Sequence, residues 1–332
     1  MRTLDIHAHL TPQAFWKATE NGGDWHGIGR HTDERGRPHP LIGGQIGGAL
    51  GPKTQWEPEQ RLADMDSLGV DVHVLSPFSG FYNYHLDAKV AIATSQDSNN
   101  EISQMVKTWP DRFAGLGTLP MQDVGAAIAE LDRGMTQLGL KGAMINDQIN
   151  GKWLDEPEYL PFWKAAEQLG ALILFHQGGK TIVSDRIERY HLPNTIGNLA
   201  DRAVTFGTLV MGGVMDACPD LKICLSHGGG YTCYGIGRMD RGWRGLPPEG
   251  SKIEQPPSSY LRRFHYDCIV YTEEALRYLI DTVGADRVLF GTDWPYDMVF
   301  DWPVSWVLSL ENVTQEEKEL ILWKNLEKLL GI

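Results

Sequence analysis

The sequence predicts a (β/α)8 TIM barrel with a Gly-rich insertion after strand 1 and lid loops at the C-terminal face. Three observations predict it: eight short β-type runs alternate with helix-like stretches, the polar candidates gather where those runs end, and the length fits. At 332 residues and 37.1 kDa, the chain exceeds the roughly 250 residues of a bare barrel by enough to carry insertions. Hydrophobic residues make up 42% and charged residues 22%, which supports a buried core and excludes wholesale disorder. Residues 1–332 read as one domain, with no repeat, low-complexity tail or linker to divide them.

The elements follow in order. TLDIHAH (3–9) is the first strand, and DVHVLSP (71–77) follows an amphipathic stretch from Pro58 to Gly69. FAGLGTLP (113–120) comes after a long helical pattern from about Ala88 to Trp109. KGAMIN (141–146) follows a helix that spaces Ile128, Leu131 and Leu138 at helical period. ALILFHQ (171–177), LKICLSH (221–227), FHYDCIV (264–270) and VLFGTDWP (288–295) complete the set. Gly69, Gly170 and Gly284 stand where helix C-caps are expected. Strands alternating with helices call for a parallel sheet covered by helices. The rival, a doubly wound open sheet binding a dinucleotide, is weakened because no G-x-G-x-x-G follows the first strand. Residues 20–55, rich in Gly, His and Arg, form the expected insertion over the barrel mouth. Residues 178–198 and 245–259 are similarly irregular and read as lids, substrate-binding segments or oligomer contacts.

Charge and cysteine content narrow the function classes. Thirty Lys and Arg against 43 Asp and Glu give a formal charge of −13. That argues against nucleic acid or an anionic membrane as the main partner, while leaving room for a local basic pocket that holds an anion. The four cysteines (Cys218, Cys224, Cys233, Cys268) contain no C-x-x-C and fit a reduced cytoplasm. The N-terminus has no apolar signal core, and no run reaches the roughly 18 apolar residues of a membrane span. The expectation is a soluble cytoplasmic protein.

His7-Ala8-His9 is the sharpest local feature, since side chains two apart on a strand share a face and converge on one ion. His176 ends ALILFH, His227 ends LKICLSH and Asp293 follows LFGT, so four histidines and an aspartate stand at the same end of four strands. Imidazole and carboxylate suit Zn²⁺, and also Mn²⁺ or Fe²⁺. An ion with an open position lowers the pKa of bound water to about 7 or acts as a Lewis acid on a substrate oxygen. His227 is then either a further ligand or a general acid/base, because imidazole titrates near neutral pH. His73 and His85 flank strand 2 and read as structural or lid residues. Phe78, Phe81, Tyr82 and Tyr84 form an aromatic loop suited to packing or to stacking on a planar substrate. Trp294 is a candidate pocket wall. Gly228–Gly230, with no Lys-Ser/Thr after them, suit a close backbone pass beside the site better than a phosphate loop.

D-I-H-A-H, S-H-G-G-G and G-T-D-W-P look like the amidohydrolase superfamily. W-E-P-E-Q-R-L-A-D-M-D (56–66), R-F-A-G-L-G-T-L-P-M-Q (112–122), M-G-G-V (211–214), I-G-R-M-D (236–240) and F-G-T-D-W-P (290–295) resemble its aminocarboxymuconate-semialdehyde decarboxylase branch, across nearly the whole chain. The resemblance implies that His7, His9, His176 and Asp293 hold one divalent metal ion, Zn²⁺ or alternatively Mn²⁺, and that His227 is the acid/base. It implies a homodimer in which Arg238 binds substrate carboxylate, its other reading being a helix-capping surface residue. The chain departs from the family pattern in three places. The segment G-A-L-G-P-K-T-Q-W-E-P offers only Lys53 where the family carries an Arg, His176 is followed by Gln177-Gly178-Gly179, and a lid aromatic is replaced by His191 or Asn194. The metal chemistry is thus expected to persist while the natural substrate is left open, with His191 a substrate-binding candidate beside Arg238 and Trp294.

The first functional expectation is a metal-dependent carboxy-lyase acting on an aminocarboxymuconate-like or hydroxyaryl acid, with His227 or Asp293 protonating the carbon that loses CO₂. The alternatives are a hydrolase or hydratase on the same scaffold, or a metalloprotein that binds a small acid without catalysis.

Overall fold

The computed structural model describes residues 2–247 and 250–332. After β1 (Leu4–Leu10) the chain makes an excursion through β2 (Ile28–Thr32), β3 (Pro38–Ile42) and β4 (Gln45–Ile46). The central sheet then continues through β5 (Val72–Pro77), β6 (Phe113–Gly115), β7 (Gly142–Ile145) and β8 (Leu172–Phe175). It finishes with β9 (Lys222–Leu225), β10 (Phe264–Asp267) and β11 (Val288–Leu289). β1, β5 and β6 pair in parallel, as do β7 through β11 in sequence. Two seams join these runs. Lys141 N donates to Gly115 O at 2.8 Å and Gly117 N to Gly142 O at 2.9 Å. Ile6 N donates to Phe290 O and Asp293 N to His7 O, both at 2.9 Å. The result is the expected (β/α)8 barrel.

Burial explains why these runs are strands. Every residue of β1, β5, β7 and β8 is buried, as parallel strands covered on both faces require. β6 and β11 are shorter than the runs 113–120 and 288–295. At Phe290 the amide turns to Ile321 O at 2.9 Å, so the chain leaves the ladder before its site residues. The outer helices are well capped. Glu57 and Gln60 form a capping box on Pro58–Leu68, and the Asp87 side chain accepts from Lys89 N at 2.8 Å on Ala88–Thr108. Gly69, Gly170 and Gly284 all take positive φ at helix ends, as the sequence suggested.

The segment 20–55 is more regular than expected: β2, β3 and β4 form an antiparallel sheet, with Ile28 opposite Ile42 and His31 opposite His39. A separate aromatic core anchors it, made of Phe15, Trp16, Trp25, Ile28, Leu50, Phe78 and Phe81. Residues 178–192 are irregular as expected, and a wide helical turn follows at Pro193–Asn198. Within 245–259, residues 248 and 249 lie outside the described set. The four cysteines are free and buried. No described helix is long and apolar enough to cross a membrane.

Candidate active site

The barrel delivers its polar residues to one end. His7 and His9 lie two apart on β1, His176 immediately follows β8, His227 follows β9 by two residues, and Asp293 follows β11 by four. Parallel strands point the same way, so all five arrive at the C-terminal mouth. They converge on Asp293. Its Oδ1 lies 3.2 Å from His7 Nε2, 3.1 Å from His9 Nε2 and 3.7 Å from His176 Nε2, while its Oδ2 lies 3.9 Å from His227 Nε2. One ligand atom from each of His7, His176, His227 and Asp293 falls within 4.8 Å of all the others.

The local backbone bends to allow this. His227 and Asp293 have φ of +56° and +65°, conformations that cost a non-glycine residue about 1–3 kcal/mol and concentrate at functional sites. After His227 the chain passes close beneath its neighbours, and a Cβ at Gly230 would strike the Leu199 carbonyl.

Charge is shared unequally among the imidazoles. Burial alone would push His7 down, but the nearby Asp293 charge and the hydrogen bond to Asp267 carry it up to about 10. Burial dominates at His9 and His176, which fall to about 4 and about 3. Asp293 is the converse: burial would raise it, yet the His7 charge and the surrounding imidazoles hold it well below the usual carboxylate range.

A supporting layer fixes these side chains. His7 Nδ1 donates to Asp267 Oδ2 at 2.7 Å, and Asp267 Oδ1 accepts from Gly228 N at 2.8 Å. Asp267 was missed from the sequence. Its only signal was a lone acid near the end of the apolar run FHYDCIV, the same strand end as the other candidates. Asp5, raised by burial to about 7 despite its bond from Thr292, accepts from the amides of His7 and Thr292. Arg61 donates to His9 O at 2.9 Å and to His73 Nδ1 at 3.2 Å, and burial lowers its guanidinium to about 9. Arg202 is buried against Asp147 and reaches Ser226 Oγ at 3.4 Å, beside His227.

Two cavities of about 310 Å³ each meet at Asp293. One is bounded by His176, Phe78, Tyr296 and, from the insertion, Gly48 and Ala49; the other by His227, Tyr271 and Ile269. Asn194 and Asn198 line both. Tyr296, also missed, packs its ring 4.7 Å from His9.

The three substrate-binding candidates lie elsewhere. Trp294 is buried behind the site, with Arg61 4.1 Å above its ring and its indole N–H on Asp64 at 2.6 Å, and it lines neither cavity. His191 and Arg238 are exposed and line neither cavity. Lys53 is engaged with Asp64 at 2.7 Å. His73 is buried under Arg61, and His85 is exposed at the rim of an outer cavity.

The donor set fits a divalent ion. Among the described residues, His7 Nε2 and His176 Nε2 are buried without a hydrogen-bond partner, and both are close to Asp293 Oδ1. Nitrogen donors with one carboxylate suit Zn²⁺, Mn²⁺ or Fe²⁺, and a ligand histidine commonly donates its other N–H to a carboxylate, as His7 does to Asp267.

Residues 4–332 match the protein family described as Amidohydrolase, and the chain belongs to that family. It is 31% identical to a 2-amino-3-carboxymuconate-6-semialdehyde decarboxylase of Dictyostelium discoideum over 99% of this chain and 91% of that protein. It is also 31% identical to a gamma-resorcylate decarboxylase of Rhizobium radiobacter, over 74% of this chain and 79% of that one. A crystal structure of a dihydroxybenzoic acid decarboxylase from Polaromonas sp. JS666, with bound manganese and 2-nitroresorcinol, shares the fold at TM-score 0.80 and 23% identity. The match covers 99% of this chain and 97% of that one.

Proposed function

We propose that this chain is a metal-dependent, non-oxidative decarboxylase, a carbon–carbon lyase acting on a small aromatic or conjugated carboxylic acid. The observation that carries this reading is the meeting of the His7, His9 and His176 Nε2 atoms within 3.1–3.7 Å of Asp293 Oδ1 on a cavity wall. The decarboxylases named above match over most or nearly all of the chain, which favours this reading over a hydrolase or hydratase.

In this reading His7, His9, His176 and Asp293 hold one ion per chain, Zn²⁺ with Mn²⁺ as the alternative. When bound, the ion polarises a substrate oxygen next to the carboxylate. His227 has room for the acid role: its Nε2 stands 3.9 Å from Asp293 Oδ2 and it lines the second cavity. It gives a proton to the carbon bearing the carboxylate. The bond to the carboxylate then breaks, its electron pair returns to the conjugated system, and CO₂ leaves. Asn194 and Asn198 orient polar substituents, and Phe78 supplies an apolar wall.

Among the described residues, no Lys or Arg lines either cavity. The proposal therefore includes a homodimer in which Arg238 of the partner subunit meets the substrate carboxylate. It further includes a cytoplasmic location and a single barrel unit over residues 1–332, with 20–55 as its insertion. His191 and Trp294 act at one remove in this reading, His191 on the exposed lid and Trp294 beneath the site.

The test is to incubate the metal-loaded protein with ortho-hydroxyaryl acids and with aminocarboxymuconate-type acids in ¹⁸O-labelled water. CO₂ release without ¹⁸O in the organic product is expected. Incorporation of ¹⁸O into the organic product without CO₂ would establish the hydrolase or hydratase reading instead.

A further inference from the structure

The opposite, N-terminal end of the barrel carries a second concave site that the reaction does not use. A cavity of about 550 Å³ opens where three strands begin: Lys222 is the first residue of β9, His265 the second of β10, and Arg287 immediately precedes β11. The turn ahead of β10 adds Arg262 and Arg263, and the C-terminal helical segment adds Lys324 and Lys328. Against these six full positive charges the lining supplies two carboxylates, Asp220 and Asp286. This local excess stands on a chain whose formal charge is −13, so the background field does not account for it.

Part of that charge is already engaged. Asp286 pairs with Arg262 at 2.9 Å and lies 3.3 Å from Arg287, and Lys324 pairs with Glu319 at 2.6 Å. Arg263 Nη2 donates to the Met215 and Pro219 carbonyls, and among the described residues its positive charge meets no carboxylate. Lys328 has no ion pair among the described residues. The second observation is independent of charge counting. His265 lines this cavity at 9% exposure, and its Nδ1 has no hydrogen-bond partner among the described residues. Burial and the Arg287 and Lys222 charges lower its ring to about 4, against a hydrogen bond to the Ile223 backbone that raises it, so it stays neutral.

We propose that this cavity binds a small, multiply charged anion of the phosphate class. Guanidinium groups match phosphate oxygens in pairs, and lysines add point charge. The volume falls in the range of small-molecule sites and exceeds what one phosphate needs, which leaves room for two phosphate groups on an organic frame. The site lies at the far end of β9, β10 and β11 from the reaction centre and does not depend on the proposed chemistry.

The test is calorimetric titration of the metal-loaded full chain with fructose 1,6-bisphosphate, a weakly chelating two-phosphate probe, at constant ionic strength. Saturable binding of one probe per chain is expected. Lys324→Glu with Lys328→Glu should weaken it about tenfold or more, while kcat and KM stay at the wild-type values. Should that pair disturb folding, Lys328→Glu alone, at an exposed residue, is expected to weaken binding about threefold. Binding that the lysine variants leave unchanged, binding abolished by removing the metal, or no saturable binding would each overturn the proposal.

Discussion

His227 and His176 both stand at the mouth, but their surroundings differ. His176, 2% exposed, has Nδ1 donating to the Gln177 carbonyl at 3.0 Å and Nε2 3.7 Å from Asp293 Oδ1, whereas His227, 8% exposed, lines the second cavity with Nε2 3.9 Å from Asp293 Oδ2. His227→Ala is therefore expected to keep its fold and metal while kcat falls about 10²–10⁴-fold, the usual loss for a general acid. His176→Ala should lose the metal as well. Elemental analysis beside steady-state rates separates the two; a His227→Ala protein emptied of metal would make His227 a ligand and leave Asp293 as the proton donor. Asp267 acts through His7, which it holds by a 2.7 Å bond. Asp267→Asn should weaken metal binding about 10–100-fold, as loss of such supporting partners does, and competition with a chelator of known affinity measures it. Unchanged metal affinity would show that the Asp267 bond is only structural.

Among the elements, the insertion links local packing to the cavity. Trp25 is buried in its aromatic core and donates to Asp97 at 2.9 Å, and the same excursion carries Gly48 and Ala49 to the cavity of His176 and Asp293. Truncating a buried aromatic costs about 3–5 kcal/mol, here concentrated in a small satellite core. Trp25→Ala is expected to speed proteolysis within 20–55 and to raise KM while metal content holds. Unchanged protease resistance would refute that role for Trp25. This element was also the least legible in sequence. Pro38 and Pro40 interrupt β3, and no apolar alternation marks β2, because contacts with Phe78 and Phe81 hold the sheet rather than its own pattern. By contrast, ALILFH was legible because a strand buried on both faces has to be continuously apolar. The His-x-His pair was legible because it is local. Asp267 was not, since its partner His7 lies 260 residues away and only closure of the barrel joins them.

For the whole molecule, the barrel separates two chemistries: a buried imidazole–carboxylate centre at its C-terminal mouth and a cationic cavity at its base. The missing cation at the mouth motivates the proposed dimer. Arg238 is exposed on the helix Thr232–Trp243, beside Tyr234 at 85% exposure. Sedimentation at assay concentration is expected to show a dimer, and Arg238→Ala should raise KM far more than it lowers stability. A strictly monomeric protein with full activity would remove Arg238 from the site.

The central claim is that one ion, gathered by His7, His9, His176 and Asp293, makes this barrel a catalyst. Elemental analysis of the purified protein, paired with CO₂ release before and after exhaustive chelation, tests it most directly. About one divalent transition-metal ion per chain is expected, with activity lost on chelation and restored by Zn²⁺ or Mn²⁺. A protein that carries no such ion and releases CO₂ undiminished after chelation would contradict the claim.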